Sequence, residues 1–349
     1  MNNNTNTAIA PKIDYTATET VCGSVLFPEV YAPGEIMIKR KLHRHPDCQL
    51  SNPDYIPEEN MLRRILAWYF FPSMKPFGLK GESGTGKTEM ALYLADKLNT
   101  PFYKVKVTKA LMPEDLEGGK DLVATDKGVV SKISLGLAAK AYHKGGILVV
   151  DEIDKCNDAL SAALHEFLDS KTWPIEQFSL MLNKHPELKI ICTGNSFGEG
   201  GHERYHTSVR MDQALRSRIG WKVATFPTQE RELAIMDKKF PKFPHAMKVD
   251  MVRLANAFRD ALLGPDRDGK VDNPINAVFS TRTIVDWGCS TMCFGKKAIW
   301  REALDYAFQG SIDPEYVDIA NDIIQRIFGN IIDLTVEEVV QKYLPVKKS

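Results

Sequence analysis

A glycine-rich loop at residues 81–88 constrains the fold of this chain more than any other stretch. It reads Gly81-Glu82-Ser83-Gly84-Thr85-Gly86-Lys87-Thr88, and lies between the apolar run 76–79 and the helix-favouring segment 89–97. Glycines let the backbone curl so that successive N–H groups point at phosphate oxygens, and the helix adds the positive end of its dipole. This Walker A pattern predicts that residues 81–88 bind the phosphates of a nucleotide. Lys87 would lie on the β- and γ-phosphates, and the Thr88 hydroxyl on Mg²⁺.

A second pattern, at residues 145–152, carries two carboxylates. The continuous apolar run 145–150 is typical of a strand buried inside a parallel sheet, and it is followed by Asp151 and Glu152. This Walker B arrangement would let Asp151 hold Mg²⁺ through its water shell. Glu152 would polarise the attacking water as a general base. Together the two patterns predict an enzyme that binds and hydrolyses ATP with Mg²⁺.

The order of the remaining segments predicts the fold class. Five strand-like segments alternate with helical ones, which indicates an α/β fold with a parallel five-stranded sheet: 76–79, 101–107, 145–150, 189–193 and 221–226. Beyond Phe226 only helical periodicity remains, which predicts an all-α domain with these helices: 229–239, 248–263, 281–293, 297–308 and 314–329. We therefore expect an N-terminal tail and small appendage (1–54), an α/β nucleotide-binding domain (55–227) and a helical domain (228–349). Turn signals also predict β-hairpins within 120–133 and between 173 and 188.

The N-terminal appendage carries no strong motif. Its first 20 residues are polar and rich in Asn and Thr, which predicts a disordered tail, and segments 23–27 and 34–38 resemble β-strands. Four residues have side chains that could bind zinc: Cys22, His43, His45 and Cys48. Their spacing fits no paired-ligand motif, so solvated loop residues and a metal site both remain open.

Composition bears on the kinds of partner and on the cellular compartment that this chain would have. Lys and Arg number 45, as do Asp and Glu, so overall charge gives little support to a nucleic-acid partner. The six cysteines are scattered, which predicts buried free thiols in a reducing compartment rather than a disulfide framework. No run approaches the ~18 apolar residues of a membrane span, and no secretory signal pattern is present. We expect a cytoplasmic protein with no membrane partner.

Beyond the two Walker patterns, the chain resembles a known family over roughly residues 50 to 330. The segments that carry the resemblance come in the order found in an AAA+ ATPase of the MoxR group: 81–88, 145–154, 192–195, 211–218 and 280–283. Segments 205–207 and 280–287 are similar to those of the CobS-like proteins, the ATPase subunit of aerobic cobaltochelatase and its relatives. The resemblance implies an AAA+ P-loop NTPase core followed by an all-α lid domain.

The resemblance also implies roles for four further residues. Asn195 matches sensor 1, which contacts the attacking water or the γ-phosphate, and a turn-forming Asn beside Gly194 is the alternative. Arg218 matches the arginine finger that reaches a neighbouring subunit's γ-phosphate, with Arg216 as the alternative, and a guanidinium suits this task because it binds phosphate oxygens in a bidentate way. Arg282 matches sensor 2 near the start of a lid helix. Surface arginines remain the alternative for all three.

The resemblance further implies an assembly and a partner. An arginine finger that acts on a neighbouring subunit requires a homo-oligomer, which we expect to be a hexameric ring. We also expect the lid to rotate against the α/β domain as ATP is bound and hydrolysed. CobS-like proteins imply a partner with a von Willebrand factor A (VWA) domain, with metal insertion into a tetrapyrrole as one outcome. Remodelling of another client, a nucleic-acid-associated motor and a non-hydrolysing nucleotide-gated scaffold remain alternatives.

Overall fold

The computed structural model describes residues 13–71, 75–126, 128–195, 211–264, 275 and 277–345. Its strands are β1 (Thr18–Cys22), β2 (Met37–Lys41), β3 (Phe77–Lys80), β4 (Phe102–Lys106), β5 (Gly118–Thr125), β6 (Gly128–Leu135), β7 (Gly146–Asp151), β8 (Thr172–Ile175), β9 (Leu180–Asn183), β10 (Leu188–Gly194) and β11 (Gly220–Val223). Its α-helices are α1 (Gly23–Leu26), α2 (Glu59–Phe70), α3 (Lys87–Lys97), α4 (Pro113–Glu117), α5 (Leu137–Lys144), α6 (Asp158–Asp169), α7 (Gln213–Ser217), α8 (Gln229–Lys239), α9 (His245–Leu263), α10 (Thr281–Phe294), α11 (Trp300–Ala307), α12 (Val317–Phe328) and α13 (Val336–Tyr343). None of the helices in these ranges is long and apolar enough to cross a membrane.

The central sheet has five strands in the order β11-β3-β10-β7-β4. Every neighbouring pair is parallel, so the carboxyl ends of all five strands meet at one edge. This confirms the predicted α/β fold with a parallel five-stranded sheet. It also places the ends of β3, β10 and β7 side by side, and these are the strands that lead into the candidate site.

Two apolar cores cover the two faces of this sheet, and β7 shows how. Ile147 and Val149 contribute to the core shared with α2 and α3. Leu148 and Val150 contribute to the opposite core, shared with α5 and α6. Successive side chains of a strand point to opposite faces, so an uninterrupted apolar run is needed where both faces are covered. The helices on each face therefore hold β7 firmly, and with it the carboxylates that follow.

The N-terminal part packs onto the α2–α3 face of the sheet. β1 and β2 form an antiparallel pair, whereas 23–27, predicted as a strand, contains the short helix α1. That prediction was wrong because Leu26 and Phe27 are both buried, and a strand would turn consecutive side chains to opposite faces. Both side chains belong to the core that α2 and α3 share. The domain boundary that we expect at residue 54 stays a prediction.

The four possible metal ligands of the N-terminal part do not assemble into a site. Within the described ranges, no group of three or more His, Cys, Asp or Glu side chains is placed to hold a metal ion. Cys48 is buried and Cys22 half-buried, both as free thiols, and the Cys22 sulfur lies 3.2 Å from the Ser24 hydroxyl.

Both predicted hairpins are present. β5 pairs with β6 and β8 with β9, each antiparallel. The Gln177 amide, beyond β8, donates to the Glu117 carboxylate just before β5, so the two hairpins lie side by side. They project from the same α5–α6 side of the sheet.

The helices after Phe226 enclose a third core, built mainly by α8 to α13. A buried ion pair joins three of these helices. Arg259 on α9 and Glu232 on α8 form two hydrogen bonds of 2.7 and 2.8 Å, and both side chains are fully buried. Arg259 also donates to the Phe279 carbonyl at 2.8 Å, and the Thr281 hydroxyl donates to Glu232 at 2.6 Å. The pair therefore positions the first turn of α10.

We expect Arg259→Met to lower the free energy of unfolding by about 3–5 kcal/mol, because it leaves the Glu232 carboxylate buried without its cation. Guanidinium denaturation measures this directly. The matched control is Arg301→Met, whose ion pair with Asp333 is partly exposed to solvent; losing that pair should cost at most about 1 kcal/mol. Equal, small costs for both variants would contradict the importance of the buried pair.

Candidate active site

The Walker A segment forms a loop between β3 and α3, as predicted. Gly84 and Gly86 have φ of 80° and 83°, a left-handed conformation that favours glycine. A Cβ on Gly84 would lie 2.4 Å from the Ser280 Cβ, so the loop touches the start of α10 and has no room for a side chain there. Gly86 caps α3, whose N–H groups therefore face the space above the loop.

Lys87 lies at the base of the loop and is only 9% exposed. Its ammonium donates to the carbonyls of Gly81 and Glu82 at 2.7 and 2.9 Å, and to the Asn195 side-chain oxygen at 3.1 Å. Burial lowers the pKa of Lys87 to about 8, because the cation leaves water without a direct carboxylate contact. A phosphate oxygen would supply the negative charge that this ammonium lacks.

Thr88 and Asp151 come together from α3 and β7. The Thr88 hydroxyl donates to the Asp151 carboxylate at 3.0 Å, and the Thr193 hydroxyl donates to the same oxygen at 2.5 Å. A hydroxyl and a carboxylate in contact are oxygen ligands of the kind that Mg²⁺ prefers, so these residues fit that ion. Thr193 had no predicted role, although it lies in the strand that precedes Asn195.

Glu152 has an unusual backbone and a charged neighbour. Its φ and ψ are 59° and 42°, a left-handed conformation that is costly for a residue with a side chain and that often marks functional sites. Its N–H donates to the Thr193 hydroxyl at 3.0 Å. Its carboxylate accepts from Lys155 at 2.8 Å, and the Lys106 ammonium lies 3.7 Å away. Lys155 and Lys106 were not predicted, because neither belongs to a motif.

Asn195 lies beside the loop, at the end of β10. Its side chain contacts Lys87, and its N–H donates to the Asp154 carboxylate at 3.2 Å. Asp154 is only 2% exposed and follows Asp151 by three residues. The structure therefore brings together the residues predicted from both Walker patterns and from sensor 1: Lys87, Thr88, Asp151, Glu152 and Asn195.

A cavity of about 260 Å³ opens from the loop between the sheet and α10. Its wall includes loop residues 84–87 and Arg282. Arg282 lies on the first turn of α10, which agrees with the position near the start of a lid helix that the resemblance implies. Arg231 and Tyr55 also line it and were not predicted. Burial raises the pKa of the Tyr55 hydroxyl, so this group stays neutral and can donate a hydrogen bond.

Arg218 and Arg216 lie away from this cavity. They surround the end of α7, before β11, and β11 begins at Gly220 opposite Phe77 at the amino edge of the sheet. Arg218 donates to the Asp169 carboxylate at 2.6 Å and to the Ala214 carbonyl at 2.8 Å. The structure therefore does not bring either arginine to the phosphate loop of its own chain.

Comparison with known families identifies this region. Residues 76–219 match the AAA domain of the dynein-related subfamily. This part of the chain is similar to an AAA domain. The match begins just before β3 and ends just before β11, so the matched residues include both Walker patterns, Asn195, Arg216 and Arg218. An AAA domain implies nucleotide binding.

Two similar proteins and one similar structure extend the comparison. The aerobic cobaltochelatase subunit CobS of Sinorhizobium sp. is 26% identical over 288 residues, which is 80% of this chain and 82% of CobS. An uncharacterised protein of Staphylococcus haemolyticus is 29% identical over 143 residues, which is 40% of this chain and 52% of that protein. A putative ATPase from Cytophaga hutchinsonii has a TM-score of 0.41 and 16% identity, over 81% of this chain and 88% of that one. The predicted resemblance to AAA+ ATPases and CobS is confirmed. Segment 205–207, one of the two on which the resemblance to CobS-like proteins was based, lies outside the described residues.

Proposed function

We propose that this protein is a Mg²⁺-dependent ATP hydrolase. The observation that carries the proposal is the meeting of three strand ends, which puts Lys87, Asp151 and Asn195 around one phosphate loop. A chance Walker A match would not place a buried lysine, a Mg²⁺-type oxygen pair and a neutral amide at the same point. This arrangement is what phosphoryl transfer needs, because catalysis there is mostly positioning and charge stabilisation.

Each residue then has a role in hydrolysis. Lys87 and the loop N–H groups would bind the β- and γ-phosphates. Thr88 and Asp151 would hold Mg²⁺, and the ion would supply positive charge beside the phosphate oxygens. Glu152 accepts a proton from the attacking water, and Asn195 orients that water or the γ-phosphate. Arg282, from α10, approaches the phosphates when the helical part closes. The ion pair with Lys155 holds the Glu152 carboxylate in place.

The position of Arg218 supports a ring. Arg218 precedes β11 at the amino edge of the sheet, whereas the phosphate loop lies at the carboxyl edge, so a role in hydrolysis would have to be at a neighbouring subunit's site. We propose a homo-oligomeric ring, a hexamer, in which Arg218 completes the adjacent site and Arg216 is the alternative finger. Closure of the helical lid on ATP would then move each subunit against the next.

The similarity to CobS supports a client of a particular kind. CobS is named as a subunit of aerobic cobaltochelatase, and the similarity spans most of both chains. We propose that the ring acts in the cytoplasm on a partner protein carrying a VWA domain, with metal insertion as one outcome and remodelling of another client as the other. Purification of the Glu152→Gln ring with bound ATP, followed by mass spectrometry, would identify the partner.

The proposed nucleotide site predicts a specific loss in Lys87→Ala. Wild type at ~100 times Kd of ATP should gain about 2.7 kcal/mol of stability from ligand binding, and the variant should gain almost none. Thermal unfolding with and without Mg-ATP measures the gain. Lys97→Ala, at the other end of α3, is the control and should keep the full shift. An unchanged shift in Lys87→Ala would contradict the assignment of residues 81–88.

A further inference from the structure

A second cavity, of about 400 Å³, lies at the amino edge of the sheet, away from the phosphate loop. The start of β7, the residues just before β4 and β10, the end of α2 and strand β2 all contribute to its wall. We call it the basic cavity, after the five cationic side chains that line it: Lys39, Arg40, Lys41, Lys144 and Lys189.

The basic cavity has more positive than negative charge. Glu187 is the only carboxylate among the described lining residues, and it pairs with Lys41 at 2.8 Å. Arg40 pairs with Glu19 at 2.7 Å. Among the residues that the structure describes, the other three cations have no carboxylate partner: Lys39, Lys144 and Lys189. An overall neutral chain thus concentrates unpaired positive charge in one concave site, which attracts anions.

Lys189 shows the imbalance most clearly. Its ammonium is half-buried, 5.7 Å from the centroid of the Trp68 ring and 5.8 Å from that of Tyr69. It donates to the Phe71 carbonyl at 3.1 Å, its one hydrogen bond to the residues that the structure describes. Burial lowers its pKa, since a cation in this setting has lost water without gaining an anion. A bound anion would supply the missing partner.

Two histidines add neutral donors to the wall. The Nδ1 atom of His45 accepts from the Asp47 N–H at 3.0 Å, and that of His185 accepts from the Glu187 N–H at 3.1 Å. A neutral imidazole with an accepting Nδ1 carries its proton on Nε2, so both rings keep an N–H donor. These N–H groups add hydrogen-bond donors to the cationic wall, and a phosphate accepts from such donors.

We propose that the basic cavity binds a phosphorylated aromatic compound about the size of a mononucleotide. The cations and imidazoles would bind the phosphate, and three aromatic side chains of the wall can stack on a planar ring: Tyr15, Tyr69 and Phe70. The cavity is larger than the 260 Å³ space above the phosphate loop, so there is room for more than a phosphate. This site is separate from the proposed ATP site and does not depend on hydrolysis.

Flavin mononucleotide is a suitable probe, because it has one phosphate and a fluorescent ring that stacking quenches. We expect saturable quenching that persists with Mg-ADP in excess, as required for a separate site. The double variant Lys144→Glu/Lys189→Gln should bind the probe roughly ten- to hundredfold more weakly. The control Lys297→Glu, an exposed cation between α10 and α11, should bind it like wild type. Thermal unfolding of all three proteins verifies that they are folded.

Four results would overturn the proposal. One is the absence of quenching at millimolar probe in folded wild type, and another is equal affinity in wild type and the double variant. The third is displacement by Mg-ADP, which would assign the probe to the phosphate loop. A 5′-phosphorylated oligothymidine arm tests ligand size, because much tighter binding of the oligonucleotide would contradict a small-molecule site and indicate single-stranded nucleic acid.

Discussion

Arg218→Ala is expected to abolish most ATP hydrolysis while leaving ATP binding almost unchanged. Arginine fingers contribute up to about 10³–10⁵ in rate, which we take as the upper limit here. The reason for normal binding is geometric, since Arg218 hydrogen-bonds Asp169 and Ala214 rather than lining the cavity of its own chain. Phosphate release at saturating Mg-ATP measures the rate, and titration with a fluorescent ATP analogue measures binding.

Two control variants separate this role from a structural one. Asp169→Asn weakens the local contact of Arg218 but keeps the guanidinium, so it should retain most activity. Arg216→Ala tests the alternative finger and should also retain most activity. If Asp169→Asn is as inactive as Arg218→Ala, the arginine acts by stabilising the end of α7; if only Arg216→Ala is inactive, the finger is Arg216.

Glu152→Gln is expected to bind ATP normally and to hydrolyse it about 10²–10⁴-fold more slowly, the usual contribution of a general base. The amide keeps the shape of the side chain but cannot accept the proton of the attacking water. Glu166→Gln, an exposed carboxylate on α6, is the matched control and should keep wild-type turnover. Turnover of Glu152→Gln within a few-fold of wild type would exclude this carboxylate as the base.

The sequence was sufficient for the parts of the site that depend on local chemistry. Glycines at fixed spacing, a following helix and an apolar strand ending in Asp151-Glu152 are local features, and parallel strands bring their ends together in any such fold. The five strands and helix 229–239 were predicted for the same reason, since each has an unbroken pattern of its own. Asn195 followed from the resemblance and lies within reach of Lys87.

The contacts that orient these groups were not predicted. Thr193 binds both Asp151 and Glu152 from about 40 residues away, and its segment 192–195 predicted a role for Asn195 alone. Lys155 pairs with Glu152 three residues before it and lies just outside the matched segment 145–154. The basic cavity is a stronger example, since six separate segments form its wall. Segment 23–27 was mispredicted because tertiary burial of two adjacent apolar side chains outweighed the β-like composition.

Some missed helices did have local signals. Thr335 and Glu338 form a capping box at the start of α13, and Asn157 caps α6 by accepting from Leu160 N–H. Such caps are recognisable in a sequence, with a polar N-cap and, for α13, Glu three residues later. These two helices were therefore predictable, whereas the contacts around Glu152 were not.

Mixing the two inactive variants tests the ring and its shared site most directly. Glu152→Gln subunits supply an intact finger, and Arg218→Ala subunits supply an intact Walker site, so some interfaces of a mixed ring contain both sound halves. We predict that hydrolysis partly returns in the mixture although each variant alone is inactive, with native mass spectrometry confirming mixed rings. Mixed rings that stay as inactive as their components would contradict a site completed by a neighbouring subunit.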